Sequence, residues 1–149
     1  MVSKTQIKSA LLDLLEKKIV SVQVELTAIR DSANSETKSS MGDKYETSRE
    51  MMTQEQNRLG AQLNLLVDQL NACTMIDTDK IFTEVSYGCL VQTDKSHFFL
   101  SVAVGQITVN GQSFFAISGE APIAKAMVGK KVGEYFTFNK ITQNIKSIK

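Results

Sequence analysis

The sequence predicts an α+β chain of two subdomains. Residues 1–75 should form an antiparallel α-helical coiled-coil finger. Residues 76–149 should form a small domain of about five antiparallel strands and one short helix. Three observations lead there. Composition changes near residue 76: of 149 residues, the first 75 hold no proline and one aromatic, Tyr45, whereas the last 74 hold Pro122, six of the eight glycines and nine of the ten aromatics. The apolar period changes at the same place, from helical steps of three and four to β-branched and aromatic runs. Finally, Asn110-Gly111 between two such runs is a strong short hairpin signal.

In the first arm Leu11, Leu15, Ile19, Val22, Leu26, Ile29 and Ala33 recur at steps of four and three. In the second, Met52, Leu59, Leu66 and Cys73 are seven apart, with Leu63 and Leu70 between them. Together they make a coiled-coil seam. The serine-rich stretch from Asp31 to Asp43 reads as the connection, with the tip near 35–48. Roughly 27 residues per arm would give a rod of about 40 Å. The seam is leucine-rich toward Cys73 and becomes Gln56, Met52, Arg49 and Tyr45 toward the tip, which should be less tightly packed. A linker is expected at about 74–80.

Six runs follow in the second half: Tyr87–Thr93, His97–Val104, Ile107–Val109, Gln112–Ser118, Glu134–Phe138 and Ile141–Ile148. The stretch Pro122–Val128 has proline at its start and Gly129 beyond its end, the pattern of a two-turn helix.

Composition narrows the function. Seventeen basic and 16 acidic residues leave a formal charge of +1, too little for a broad nucleic-acid-binding face. Two cysteines, Cys73 and Cys89, make neither a metal quartet nor a disulfide scaffold, and both read as inert fillers. His97 is the only histidine, which excludes a His-rich metal site and suits a structural role. No apolar run is long enough to span a membrane and no signal peptide is evident, so a cytoplasmic location is expected.

Two stretches stand out. One is Gly42-Asp43-Lys44-Tyr45-Glu46-Thr47-Ser48-Arg49 at the finger tip. Carboxylates three apart on a helix point the same way, and such a pair could share a Mg²⁺ ion. The same pair could equally be an N-cap at Asp43 and a capping-box acid at Glu46. The other stretch is Ile117–Glu134, ISGEAPIAKAMVGKKVGE, whose Lys125, Lys130 and Lys131 form a modest basic edge.

Taken together, these two stretches resemble the GreA/GreB family of bacterial transcript cleavage factors. The family's tip reads G-D-L-x-E-N, and its C-terminal signature reads roughly I-S-x-x-S-P-I-A/G-x-A-L-L-G-K-x-x-G-D. The resemblance covers nearly the whole chain in the right order. It implies that the C-terminal domain is FKBP-like and docks on RNA polymerase beside its secondary channel. Pro122, Ile123, Lys125, Gly129 and Lys130 would lie on the docking face. The finger would enter the channel, with Gly42, Lys44, Tyr45, Thr47 and Arg49 as tip contacts near the 3′ end of the nascent RNA. Asp43 and Glu46 would be the catalytic pair, sharing with the polymerase a Mg²⁺ ion present only in the complex. The chain would then be no enzyme itself; it would stimulate the polymerase's own RNA cleavage and hold no small-molecule ligand or cofactor alone. The sequence departs from the family pattern at Lys44 (leucine), Thr47-Ser48 (Asn-Ala), Ala121 (serine) and Glu134 (aspartate). A lysine between two metal ligands competes with the ion, so a non-cleaving channel regulator is the first alternative. An FKBP-like isomerase and a plain coiled-coil interaction module are the others. The absence of tryptophan, and the adjacent pairs Phe98-Phe99 and Phe114-Phe115, speak against the isomerase.

Overall fold

The apolar rows of the first half form two long helices, α1 (Lys4–Glu36) and α2 (Gly42–Thr74), each of 33 residues. They belong to a computed structural model that describes residues 2–36 and 42–149, and the side chains of all of these except 33–36 and 42–45. Both arms are longer than expected. The stretch from Asp31 to Asp43, expected as connection, is helical at 31–36 and again from Gly42.

Helix α1 starts where local chemistry tells it to. Ser3 Oγ accepts the Gln6 amide (3.2 Å), and Gln6 Oε1 accepts the Ser3 amide (2.9 Å). This is a reciprocal capping box. Val2 and Ile7, in the flanking positions of a hydrophobic staple, are both buried.

By compactness the chain divides into two units: Met1–Asp13 with Asn71–Lys149, and Leu14–Leu70. The outer ends of the two helices therefore belong with the sheet. In Leu14–Leu70 the buried row is Leu15, Val22 and Leu26 from α1 and Leu59 and Leu66 from α2. Ile19, Ile29, Met52 and Leu63 are half-buried beside it. The Glu55 carboxylate, and more weakly the charge of Glu25 on α1, push the Arg58 pKa up, which places Glu25 in the neighbourhood of Arg58, as an antiparallel hairpin requires. Arg58 also chelates Glu55 one turn back, an exposed pair of small energetic weight.

The sheet unit holds β1 (Leu90–Thr93), β2 (His97–Leu100), β3 (Gly105–Val109), β4 (Gln112–Ile117), α3 (Pro122–Met127), β5 (Tyr135–Phe138) and β6 (Ile141–Ile148). Six strands, not about five, make one sheet of order β3-β4-β2-β1-β6-β5. The sheet is mixed: β2 and β4 run parallel, with Phe98 opposite Phe115, and every other pair is antiparallel. The reason is the β3–β4 hairpin. Asn110 and Gly111 both take positive φ (49° and 79°), which turns β4 back along β3. β4 rather than β3 then lies beside β2, and β3 becomes an outer strand. A second two-residue turn with positive φ, Asn139-Lys140, closes β5–β6.

Strand alternation divides the phenylalanines between the two faces. Phe98, with Val91, Leu100 and Ile145, joins the cluster covered by Phe82, Val85, Ala124, Met127 and Phe136. Phe115 packs against that cluster as well. Phe99 and Phe114 point to the other face and are fully buried. Thr93 ties the β1–β2 turn. Its Oγ1 accepts the amides of Lys95 (3.1 Å) and Ser96 (2.9 Å) and lies 2.6 Å from Gln143 Oε1, to which it donates.

Candidate functional site

The two stretches singled out by residue type lie in different units. Helix α2 begins at Gly42, so Asp43 and Glu46 are its second and fifth residues. Whether the Asp43 side chain caps α2 lies outside the described residues. Among the described residues the reciprocal capping box is Ser3/Gln6. The side chains of Asp43, Lys44 and Tyr45 lie outside the described residues. Glu46, Thr47 and Arg49 are exposed. Helix spacing puts positions 43 and 46 on one side of α2. An exposed carboxylate is a hard oxygen donor of the kind Mg²⁺ takes, and such an ion keeps most of its waters. Among the described residues no group of three or more His, Cys, Asp or Glu side chains stands close enough to hold a metal.

The second stretch is a strand end, a short helix and a turn. Ala121 stands at the N-cap of α3 with extended backbone (φ −62°, ψ 140°) and offers no side-chain cap. Serine, the residue of the family pattern, could accept an amide there. Pro122 is the exposed first residue of α3. Ile123 packs against the core cluster. Lys125 is exposed and sits 3.7 Å from Glu120, a pair of little energetic weight. Gly129 takes φ 85°, a conformation costly for any residue with a Cβ, and its amide donates to Val85 O at 2.9 Å. Lys130 returns the tie, its carbonyl accepting the Val85 amide at 2.8 Å. Gly129 and Lys130 thus fasten the end of α3 to the segment before β1. Glu134 Oε1 accepts the Lys131 amide at 3.1 Å, closing the following turn. Pro122, Lys125 and Gly129 are exposed, while Ile123 and Lys130 are half-buried.

The remaining candidates have structural surroundings. His97 Nε2 lies 3.0 Å from Gln112 Nε2, and its ring stands edge-on to Phe114. Cys73 and Cys89 are buried, free thiols, and burial pushes the pKa of each up. A thiol so placed is a poor nucleophile. Phe98, Phe99 and Phe114 are buried against the sheet's two faces. A cleft of about 560 Å³ opens at the first turn of α1, lined by Val2, Thr5, Thr78, Asp79, Ile81 and Ile148 among others.

Two residues that sequence reasoning passed over are Lys4 and Lys8. Lys4 is buried, and burial pushes its pKa below the ordinary lysine value. Its Nζ donates to Lys80 O (3.3 Å) and lies 4.7 Å from the centre of the Phe82 ring. Nothing in the local pattern marks a lysine for burial; the only available signal was its place directly after a capping serine.

No protein-family model matches the chain, and no curated protein matches it. Among solved structures, one described as the structure of the transcription factor Gfh1 is similar, at 17% identity and a TM-score of 0.39. The likeness covers 91% of this chain and 89% of that one. A likeness that loose carries no functional conclusion. The class that the coordinates themselves define is an α+β protein: a long helical hairpin joined to a six-stranded mixed sheet. No helix among the described residues is long and apolar enough to cross a membrane.

Proposed function

We propose that this chain is an accessory factor of bacterial RNA polymerase, one that enters the enzyme's secondary channel and stimulates cleavage of backtracked RNA. The observation that carries this reading is Glu46: it is exposed, three residues after Asp43, in the opening turns of a 33-residue helix. The resemblance of Gly42–Thr47 and Ile117–Glu134 to the two family motifs supports it. Asp43 and Glu46 would each offer a carboxylate oxygen to a Mg²⁺ ion held chiefly by the polymerase. When bound, that ion supplies Lewis-acid chemistry and a more acidic water for phosphodiester hydrolysis. The chain's own part is to carry negative charge to that place on a stiff element. Pro122, Ile123, Lys125, Gly129 and Lys130 would form the face that docks on the polymerase, and a cytoplasmic location follows from such a partner.

A second reading, occupation of the channel without cleavage, is favoured by Lys44. An ammonium group between two acids in sequence lowers their joint affinity for a cation. The test is a purified polymerase stalled in a backtracked complex. RNA shortening on addition of the chain, lost in Asp43→Asn and in Glu46→Gln, supports the first reading. Binding without shortening, and shortening gained in Lys44→Leu, moves the answer to the second. No binding to the polymerase sinks both.

A further inference from the structure

Residues 75–89 join α2 to β1 and carry neither helix nor strand, and 75–88 of them form a strap beside α1. Backbone carbonyls in such a segment need partners from elsewhere. The end of α2 has the same need, since its last turn holds no basic residue of its own. Both needs are met from α1. Lys8 Nζ donates to Thr74 O at 2.9 Å and to Ile76 O at 2.8 Å. One helical turn earlier, Lys4 Nζ donates to Lys80 O at 3.3 Å and to Gly88 O at 3.5 Å. Between these points Thr5 Oγ1 lies 3.3 Å from Thr78 Oγ1. Lys4, Thr5 and Lys8 share one side of the helix, and the segment runs along it. The Phe82 ring, itself in the segment, has the ammonium groups of both Lys4 (4.7 Å) and Lys80 (5.1 Å) close to its centre.

We propose that Lys4 and Lys8 form a two-point clasp holding the strap against α1, and that loss of the Lys8 charge opens its first part, residues 75–80, while the sheet, with Phe82 and Val85 in its core cluster, stays folded. The two points are unequal. Lys8 makes the shorter bonds and serves as the missing C-terminal cation of α2. Lys4 is the deeper group, with longer bonds and a ring contact. The sheet has separate ties. Its strands are joined by their own ladders, and Val85 is held by the backbone of Gly129 and Lys130. The 75–80 end of the strap, fastened mainly by side chains, can therefore open by itself.

Hydrogen exchange on the full chain tests this, read at the amides of Met75, Ile76 and Asp79, which are hydrogen-bonded in the closed strap. In Lys8→Met, which keeps the aliphatic stem, these amides should exchange about ten-fold faster or more, with amides of β1, β2 and β4 within about two-fold of the parent. Lys8→Arg, which keeps the charge, should restore most of the protection. Unchanged exchange in Lys8→Met overturns the proposal. An equal acceleration across strap and sheet also overturns it, because Lys8 would then only add to global stability. Lys4→Met provides a second test: faster exchange confined to 75–80 supports the clasp, and acceleration shared with the sheet counts against it.

Discussion

The helical unit, Leu14–Leu70, and the sheet unit reach stability by different routes. Among its described residues the helical unit buries one narrow row, Leu15, Val22, Leu26, Leu59 and Leu66, and leaves Val20, Val24, Met51 and Leu65 exposed. Among those described residues the helical backbone bonds are local. The sheet unit buries both faces of its central strands β1 and β2, and its ladders join residues far apart in the chain, such as Phe98 with Phe115 and Val91 with Ile148. The first should respond to intrinsic propensity and to single seam positions. The second should respond to cross-strand packing and to buried polar ties.

The largest expected effect lies in the sheet. Phe99 has 0% exposure. Phe99→Ala should cost about 3–5 kcal/mol in a urea titration. Leu66→Ala on the helical seam should cost less, about 2–3 kcal/mol, since a single row has fewer neighbours to lose and more room to relax. It should also separate two transitions, with helical signal lost at lower urea than a tyrosine probe of the sheet. If Leu66→Ala instead shifts both probes together, the two units unfold as one and the comparison breaks.

Third is Thr93→Val. The change leaves the Lys95 and Ser96 amides and Gln143 Oε1 without their common partner, at a cost of about 1–3 kcal/mol in the same titration. A loss under a few tenths would mean that the turn is held from elsewhere. Fourth, Gly60→Ala should stabilise the helical unit by about 0.5–1 kcal/mol. Gly60 is inside α2, and an added Cβ meets nothing within 4 Å. A higher midpoint for the helical transition, with the sheet transition unmoved, would sharpen the contrast between the units.

The smallest effect is electrostatic. Asp94 Oδ1 accepts the Asn144 amide at 2.9 Å, and this bond holds the Asp94 pKa below its ordinary value of 3.8. A carboxyl group with a depressed folded pKa contributes stability that is present above the unfolded value and lost as pH falls through the folded one. The melting temperature should therefore fall below about pH 4, and fall less in Asp94→Ala. Equal acid sensitivity in the two proteins would remove Asp94 from the account.

These contrasts also explain what could be read in advance. The apolar row of α1 was legible through Leu26 because a helix repeats its own pattern, and the β3–β4 hairpin was legible because Asn-Gly suits a positive-φ turn. The strand bounds at Ile141–Ile148 agree with the reading, while Tyr87–Thr93 shortens to Leu90–Thr93 and His97–Val104 to His97–Leu100. Those runs were trimmed because ladder partners end there, which apolar content does not reveal. Of the candidate site, Glu46 is seen to be exposed and Pro122 to start a helix, both as residue type suggests. The cap that local pattern offers Asp43 lies outside the described residues.

From residues 1–149 alone followed the order of helices and sheet, the seam, the two-residue hairpin and the candidate acids, all of them matters of near neighbours along the chain. The tertiary structure alone decided the parallel pairing of β2 with β4, the burial of Lys4, the Thr93–Gln143 tie and the reach of Lys8 to the end of α2. Each of these joins residues brought together by packing, and no pattern of adjacent side chains encodes which distant group will supply a missing partner.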